Sequence, residues 1–430
     1  MSRVLVKPSV IQGEIEAPPS KSYTHRVYAA ALLSKGVSVM INPLRSRDTD
    51  ASRRACMLLG AEVRKNESKV VISGGRLKTP ENVIDVENSG TTLRLFTALS
   101  ALIPRGYAIL TGDESIRRRP MKPLLDSLRD LGVECWASRL DGRAPIIVRG
   151  GGVRGGETKI TGEISSQFIS ALLYASVKSD QGTRITVEGE LVSKPYVDAT
   201  LEVLKRFDFR VRNEEYEVFD VEGGQDGRPC SFKVPGDFSS ASFFMAGAQL
   251  TRGYVKIKGL DLDLPQADSA IIEILEKSGC SLKISQGSVE VQGIGGFEGG
   301  EYCLRDSPDL LPVVAVMAAK SEEETVIRGV KHTRFKESDR LSVIASELRK
   351  LGVAVEVLRD GLKIRGRRKL EGGCILKSHG DHRMFMALTV LAASTERGCV
   401  VEGAESAEIS YPGFLDHARR LGMRVEVLEA

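Results

Sequence analysis

The chain has 430 residues, 42% of them hydrophobic and 27% charged, and carries a net charge of +4. That length exceeds what one hydrophobic core usually supports, so two domains of ordinary soluble composition are expected. So mild a positive balance, with only 5% aromatics and no dense basic stripe, excludes the usual signature of a nucleic-acid partner.

The first elements in chain order are short strands at Arg3–Val6 and Glu14–Ala17, which end at Pro18-Pro19. Ser20-Lys21-Ser22 follows and leads into a helix beginning near Tyr23, with Ser20 or Ser22 as its cap. A helix N-terminus offers unpaired N–H groups and partial positive charge. Lys21 and Arg26 add two full charges, so the stretch suits a phosphate or a carboxylate.

From there the chain repeats itself. An amphipathic helix runs through a tight turn into a strand six times, with turn residues Gly60, Gly132, Asp208, Gly279, Gly352 and Gly422, 70 to 76 residues apart. Glycine supplies the left-handed conformation that ends such a helix; Asp208 tolerates it less well. A second kind of helix, rich in small residues and apolar nearly all round, recurs at Thr24–Leu33, Gly90–Ile103, Ser165–Val177, Ser239–Leu250, Asp309–Ala319 and His382–Ala393. Helices of that character are buried. Gly74-Gly75, Gly150–Gly152, Gly223-Gly224, Gly295-Gly296 and Gly372-Gly373 read as hairpin turns between strands. Six α/β units divide into two domains of three. With breaks at Pro18-Pro19 and Val234-Pro235, the expected domains are 1–17 plus 235–430, and 18–234.

Seven scattered cysteines (56, 135, 230, 280, 303, 374, 399) without a CxxC pair indicate reduced thiols in a cytoplasmic protein. No charged-then-apolar leader opens the sequence, so no signal peptide is expected. The longest apolar runs, Leu310–Ala319 and Met384–Ala393, are too short to cross a bilayer, and no membrane partner is expected.

Reactive residues gather where the buried helices start. The six starts are Ser20-Lys21-Ser22 with Arg26, Asn88-Ser89-Gly90-Thr91-Thr92 with Arg94, Ser165-Ser166-Gln167, Asp237-Phe238-Ser239-Ser240, Asp306-Ser307-Pro308-Asp309 and His379-Gly380-Asp381-His382-Arg383. Capping accounts for the Ser, Asn and Asp residues. It does not account for Lys21, Gln167 or Arg383, and a cation at a helix N-terminus opposes the dipole unless an anion binds there. Three loops add Arg117-Arg118-Arg119-Pro120, Ser193-Lys194-Pro195-Tyr196 and Arg334-Phe335-Lys336-Glu337-Ser338-Asp339-Arg340. In the last, Lys336 and Arg340 share a face once the segment is helical. A solvated helix start with a weak Glu337–Arg340 pair is the bland account of the same residues.

Taken in order, Pro19-Ser20-Lys21-Ser22 with Arg26, Asn88-Ser89-Gly90-Thr91, Arg119-Pro120, Ser165-Ser166-Gln167, Ser193-Lys194-Pro195-Tyr196, Pro308-Asp309, Lys336–Leu341 and Asp381-His382-Arg383 resemble the motifs of the 5-enolpyruvylshikimate-3-phosphate synthase family along the whole chain. The resemblance implies an α/β fold of two inverse α/β barrel domains, each of three βαβαββ units with buried helices, closing on a cleft. It implies transfer of the carboxyvinyl group of phosphoenolpyruvate to the 5-hydroxyl of 3-phosphoshikimate, without metal or organic cofactor; a bilobed enzyme that must flex is expected to be a monomer. By the same resemblance Lys21, Ser22, Arg26, Ser165, Ser166, Gln167, Ser193, Asp309 and Lys336 line the 3-phosphoshikimate site. Lys21, Gly90, Arg119, Gln167, Arg340 and Arg383 face phosphoenolpyruvate. Asp309 is the implied base for the hydroxyl, and Glu337 or Lys21 delivers the proton to the methylene carbon. The residue types agree, since both substrates carry a phosphate and a carboxylate, and arginine binds such planar or tetrahedral anions through paired N–H groups.

Three positions depart from well-known bacterial members, which have asparagine at His332, lysine at Ile409 and proline at Leu95. The related UDP-N-acetylglucosamine enolpyruvyl transferases resemble the chain less, because their loop cysteine has no counterpart in Gly112–Arg119. A non-enzymatic phosphometabolite sensor would gain nothing from Asp309 and Glu337. His379 and His382 lack a third ligand nearby and so suggest no metal. His25 and His417 read as polar surface or capping, Trp136 as packing, and Cys56 and Cys280 as core or turn residues.

Overall fold

In a computed structural model the described residues are 2–428. They include twelve α-helices: α1 (Lys21–Leu33), α2 (Arg47–Leu58), α3 (Gly90–Ser100), α4 (Lys122–Asp130), α5 (Ser166–Ser176), α6 (Lys194–Arg206), α7 (Phe238–Thr251), α8 (Ile271–Lys277), α9 (Leu311–Ala318), α10 (Arg340–Lys350), α11 (His382–Ala393) and α12 (Phe414–Arg420). No helix among them is long and apolar enough to cross a membrane.

The odd-numbered helices are those the sequence marks as apolar all round. They are packed in two sets of three, α1 with α3 and α5, and α7 with α9 and α11. Almost every residue of α7, α9 and α11 is buried, because none of these helices has a face left for water. The even-numbered helices keep one polar side, and each ends in a left-handed residue before a strand. Gly60, Gly132, Gly279, Gly352 and Gly422 all have positive φ, and Asp208 takes the same conformation at φ 61°.

Six four-stranded sheets accompany these helices. One shows the repeated pattern plainly. Gly156–Thr161 runs parallel to Thr183–Glu188 across α5, α6 follows, and Val211–Glu214 then forms a hairpin with Val218–Val221, which pairs back onto Thr183–Glu188. A parallel pair needs a crossover, and the buried helix is that crossover. The order is βαβαββ.

Three of the six units are not contiguous in sequence. Ser231–Lys233 supplies the first strand beside Gly36–Ile41, Gly13–Glu16 the first strand beside Tyr254–Lys258, and Arg3–Lys7 lies between Cys399–Glu402 and Arg424–Leu428. The chain therefore forms two compact units. One holds the residues up to Pro18 with those from Gly236 onward; the other is Pro19–Pro235. The backbone passages are tied down on both sides, Ser20 N donating to Pro235 O at 2.7 Å and Asp237 N to Pro18 O at 2.8 Å.

Two sequence expectations need correction. The paired glycines are not hairpin turns. The hairpin after α6 turns through Glu215 and Tyr216, both at positive φ, and Gly223-Gly224 comes after its second strand. Glycine is needed there for close approach. A Cβ on Gly74, Gly150 or Gly223 would collide with the carbonyl of Ala31, Ile103 or Ser179, at or just past the ends of α1, α3 and α5. Nor is His25 at the surface. It is fully buried on α1, which packs against α2, α3 and α6 and has no solvent face. His417 is likewise drawn inward, its Nδ1 2.7 Å from the Tyr411 hydroxyl. Trp136 does pack, edge-on to Tyr107 with ring centres 6.3 Å apart.

Candidate active site

In the Pro19–Pro235 unit, Ser20 is the cap of α1, accepting from Tyr23 N. Lys21 and Ser22 consequently sit in the first helical turn. The Lys21 ammonium is 3.0 Å from Asp48 Oδ2, a buried carboxylate in the first turn of α2. One turn further along α2, Ser52 Oγ lies 2.7 Å from His25 Nδ1 and 2.8 Å from Thr92 Oγ1, which in turn lies 2.7 Å from Ser89 Oγ. This polar run locks the starts of α1 and α3 to the same face of α2. Burial, with Lys21 and Arg26 close by, pulls the His25 imidazole well below the usual histidine range, so it serves here as a neutral hydrogen-bonding group.

Arg26 is buried and strongly engaged by the protein itself. Its Nε donates to Thr200 Oγ1 at 2.8 Å, Nη1 to the Ser22 carbonyl and hydroxyl at 3.0 and 2.6 Å, and Nη2 to Tyr196 O at 2.8 Å. It thereby fixes Ser22 and the start of α6. Ser193, just before α6, takes a left-handed conformation at φ 61°.

The starts of α3 and α5 form the second half of this group. Ser89 caps α3 and Ser165 caps α5, leaving Gly90 and Ser166 as first helical residues. Gln167 spans the two helices: its Nε2 donates to Thr91 Oγ1 and its Oε1 accepts from Arg94 Nη1, both at 3.1 Å. A Cβ on Gly90 would lie 2.6 Å from Arg94 Nη1 and closer still to Arg119 Nη1. Gly90, Arg94, Arg119 and Gln167 thus share one small region of positive charge at two helix N-termini. Sequence reasoning named Arg94 only as a resident of α3; its place one turn beyond Gly90 was the signal that could have found it.

In the other unit the centre is Arg340, only 1% exposed. Its Nε donates to Asp381 Oδ2 at 2.9 Å, Nη1 to Asp309 Oδ1 at 2.7 Å and Nη2 to Glu337 Oε2 at 2.8 Å. Arg383 Nη2 meets Asp309 Oδ2 at 2.9 Å, and the Lys336 ammonium is 3.7 Å from Asp309 Oδ1. The planar guanidinium presents N–H groups in several directions, which lets one residue hold three carboxylates. Burial works against the charge of Arg340, but Asp381, Glu337 and Asp309 together keep it ionised well above the usual range. Burial pulls the Lys336 ammonium down, with Asp309 opposing, and pushes His332 down to about 4 with help from Lys336.

The 336–340 stretch does not follow the helical expectation. Lys331–Phe335 is a 3-10 turn, Lys336 is extended, and α10 begins only at Arg340 behind an Asp339 cap. Lys336 and Arg340 converge because both reach Asp309, not through a shared helix face. The Glu337–Arg340 pair is buried, so the account of a solvated helix start fails with it. His382 is buried at the start of α11, His379 reaches Glu347 at 3.1 Å, and no metal-binding cluster occurs among the described residues.

Carboxylates held among several cations, at helix starts built to receive anions, favour proton transfer on small phosphorylated or carboxylated molecules. Such a set suits an enzyme acting on small anions rather than a passive anion binder. The family model for EPSP synthase (3-phosphoshikimate 1-carboxyvinyltransferase) matches residues 5–418, and the chain belongs to that family. It is 42% identical over 426 residues to the 3-phosphoshikimate 1-carboxyvinyltransferase of Methanocaldococcus jannaschii, covering 99% of each chain. It is 46% identical over 422 residues to that of Korarchaeum cryptofilum, covering 98% of each. Among solved structures, the EPSP synthase of Acinetobacter baumannii superposes with a TM-score of 0.83 at 26% identity, over the full length of both chains.

Proposed function

We propose that the chain carries out the reaction for which the family is named, using the residues found at the helix starts of each unit. The carboxyvinyl group of phosphoenolpyruvate passes to the 5-hydroxyl of 3-phosphoshikimate, and phosphate leaves. The observation that carries the assignment of roles is the placement of Asp309 and Glu337, two carboxylates on one buried arginine.

The hydroxyl oxygen attacks the substituted carbon of the enol while Asp309 accepts its proton and Glu337, once protonated, delivers one to the methylene carbon. The product of that addition is a tetrahedral adduct. In the second half the bond to the phosphate oxygen breaks, the Glu337 carboxylate takes a proton back from the new methyl group, and the double bond re-forms. Arg119, Arg340, Arg383 and Lys21 balance the phosphate and carboxylate charge of phosphoenolpyruvate throughout, with Gly90 and Gln167 beside it. Ser22, Ser165, Ser166, Ser193, Asp309 and Lys336 bind 3-phosphoshikimate, with Lys21 and Gln167 shared between the substrates. Arg26 supports that site by fixing Ser22. A coupled phosphate-release assay tests the reading: release must need both substrates, and release with either one omitted would overturn it.

Two substitutions test the division of the site. Gly90→Ala should raise KM for phosphoenolpyruvate about tenfold or more, because its methyl group displaces two guanidinium groups at once. The KM for 3-phosphoshikimate should change little; parallel changes in both would contradict the placement of Gly90. Arg119→Ala should likewise weaken phosphoenolpyruvate by about 2 kcal/mol, roughly thirtyfold, the loss expected for one charge-assisted contact. Equal losses for both substrates, measured by steady-state kinetics, would count against a separate phosphoenolpyruvate side.

A further inference from the structure

One buried carboxyl in the Asp309 unit takes no part in that scheme. Asp268 stands in the short turn Ala267–Ala270 ahead of α8 and is 4% exposed. The Ser239 hydroxyl, in the first turn of α7, hydrogen-bonds to its carboxylate. Arg383 Nη1 donates to the same Ser239 oxygen, while Arg383 Nη2 holds Asp309 Oδ2 at 2.9 Å. A hydroxyl has one hydrogen to give and two lone pairs to offer, so Ser239 can serve both neighbours at once. A continuous polar run, Asp268–Ser239–Arg383–Asp309, therefore joins α7, α11 and the Pro308–Leu310 turn.

We propose that Asp268 is a positioning residue that acts through the Ser239 hydroxyl to fix the Arg383 guanidinium in the orientation that meets phosphoenolpyruvate. The inference rests on the reading that Arg383 faces that substrate. Ionised Asp268 is costly to the fold: burial works against it first, then the carboxylates of Asp309 and Asp237, while Arg383 and Ser239 oppose them. The groups facing it are thus Asp237 at the α7 cap, Asp309 from the neighbouring turn and Arg383 from α11. The balance pushes its carboxyl up to about 6. A group kept only for packing would do better uncharged, so retaining the charge beside Arg383 points to function. Protonation weakens the arrangement, since the neutral carboxyl is a poorer acceptor for the Ser239 hydrogen and no longer attracts Arg383 by charge. Acid should therefore loosen Arg383.

The stability sign follows from the raised pKa. The folded protein keeps a proton on Asp268 that the unfolded chain has already released. Its stability therefore rises as pH falls through about 6, and above that pH the ionised group is a burden. Asp268→Asn removes the burden and should leave the full-length protein at least as resistant to heat above pH 6 as the parent. Its kcat/KM for phosphoenolpyruvate should nevertheless fall about tenfold or more, with KM for 3-phosphoshikimate unchanged within about twofold. The acid limb of the parent's pH profile near 6 should disappear. Unchanged kcat/KM with an unchanged limb would overturn the proposal, as would a lower melting temperature with equal losses for both substrates. Ser239→Ala provides a second route if the Asn variant folds poorly. It should reproduce the phosphoenolpyruvate defect, and additive rather than overlapping losses in the double variant would refute the relay. Arg383→Ala separates the two layers. An unchanged KM for phosphoenolpyruvate would remove the underlying reading, whereas a raised KM beside a normal Asp268→Asn enzyme would remove only this inference.

Discussion

Replacing Asp309 by alanine should lower kcat by about a thousandfold, the range expected when a positioned general base is lost. The same substitution should leave 3-phosphoshikimate binding nearly intact. Asp309 is the anion that Arg340, Arg383 and Lys336 converge on, at 2.7, 2.9 and 3.7 Å. Removing it raises the positive charge offered to an incoming phosphate, so electrostatics alone cannot make the anionic substrate bind more weakly. The cost is to the protein, since three cations lose a common partner, and Asp309→Asn is the gentler companion because it keeps the shape and two acceptor lone pairs. Single-turnover kinetics would read the chemical step, and calorimetric titration would read the affinity. Near-parental turnover in both variants would end the assignment of Asp309 as base.

How much of this was visible in the sequence differs between the repeat and the site. The repeat was legible because its signals are local. A left-handed residue at 60, 132, 208, 279, 352 and 422 is a requirement of the chain at that point, whatever lies around it. The apolar character of α7, α9 and α11 likewise announces burial on all sides. What could not be read was the permuted strand order, because the partner of Gly36–Ile41 is nearly two hundred residues away at Ser231–Lys233. Glycine pairs misled for a related reason: a close approach to a distant carbonyl and a tight turn ask for the same residue.

The site was legible as a set of residue types and not as a network. Capping correctly gave Asp381 a role at the start of α11, where Oδ1 accepts from Arg383 N at 2.9 Å. Its other oxygen, which receives both Arg340 Nε and the Ser338 hydroxyl, depends on tertiary packing that no spacing encodes. Asp48, His25 and Ser52 were silent for the same reason. Each is an unremarkable helical polar residue until α1, α2 and α3 come together and bury it.

Arg340 is where the energetic consequences should be largest. Arg340→Met should destabilise its own unit by about 3–5 kcal/mol, the loss expected when one partner of a buried charge cluster is removed. Three carboxylates would then face one another with Arg383 and Lys336 still near Asp309, and with the Arg340 contact gone from Glu337 and Asp381. Arg340→Lys restores the charge but not the fork. A single ammonium cannot span Asp381, Glu337 and Asp309 in the directions that Nε, Nη2 and Nη1 now take. The lysine variant should therefore recover part of the stability and little of the activity. Because the chain has two units, urea unfolding should show the Asp309 unit melting early while the Pro19–Pro235 unit keeps its midpoint, and a single two-state fit would be inappropriate. Equal midpoints for parent and Arg340→Met would mean that the cluster contributes orientation without net stability. Full activity in Arg340→Lys would mean that charge alone, not the geometry of the guanidinium, is what Asp309 and Glu337 require.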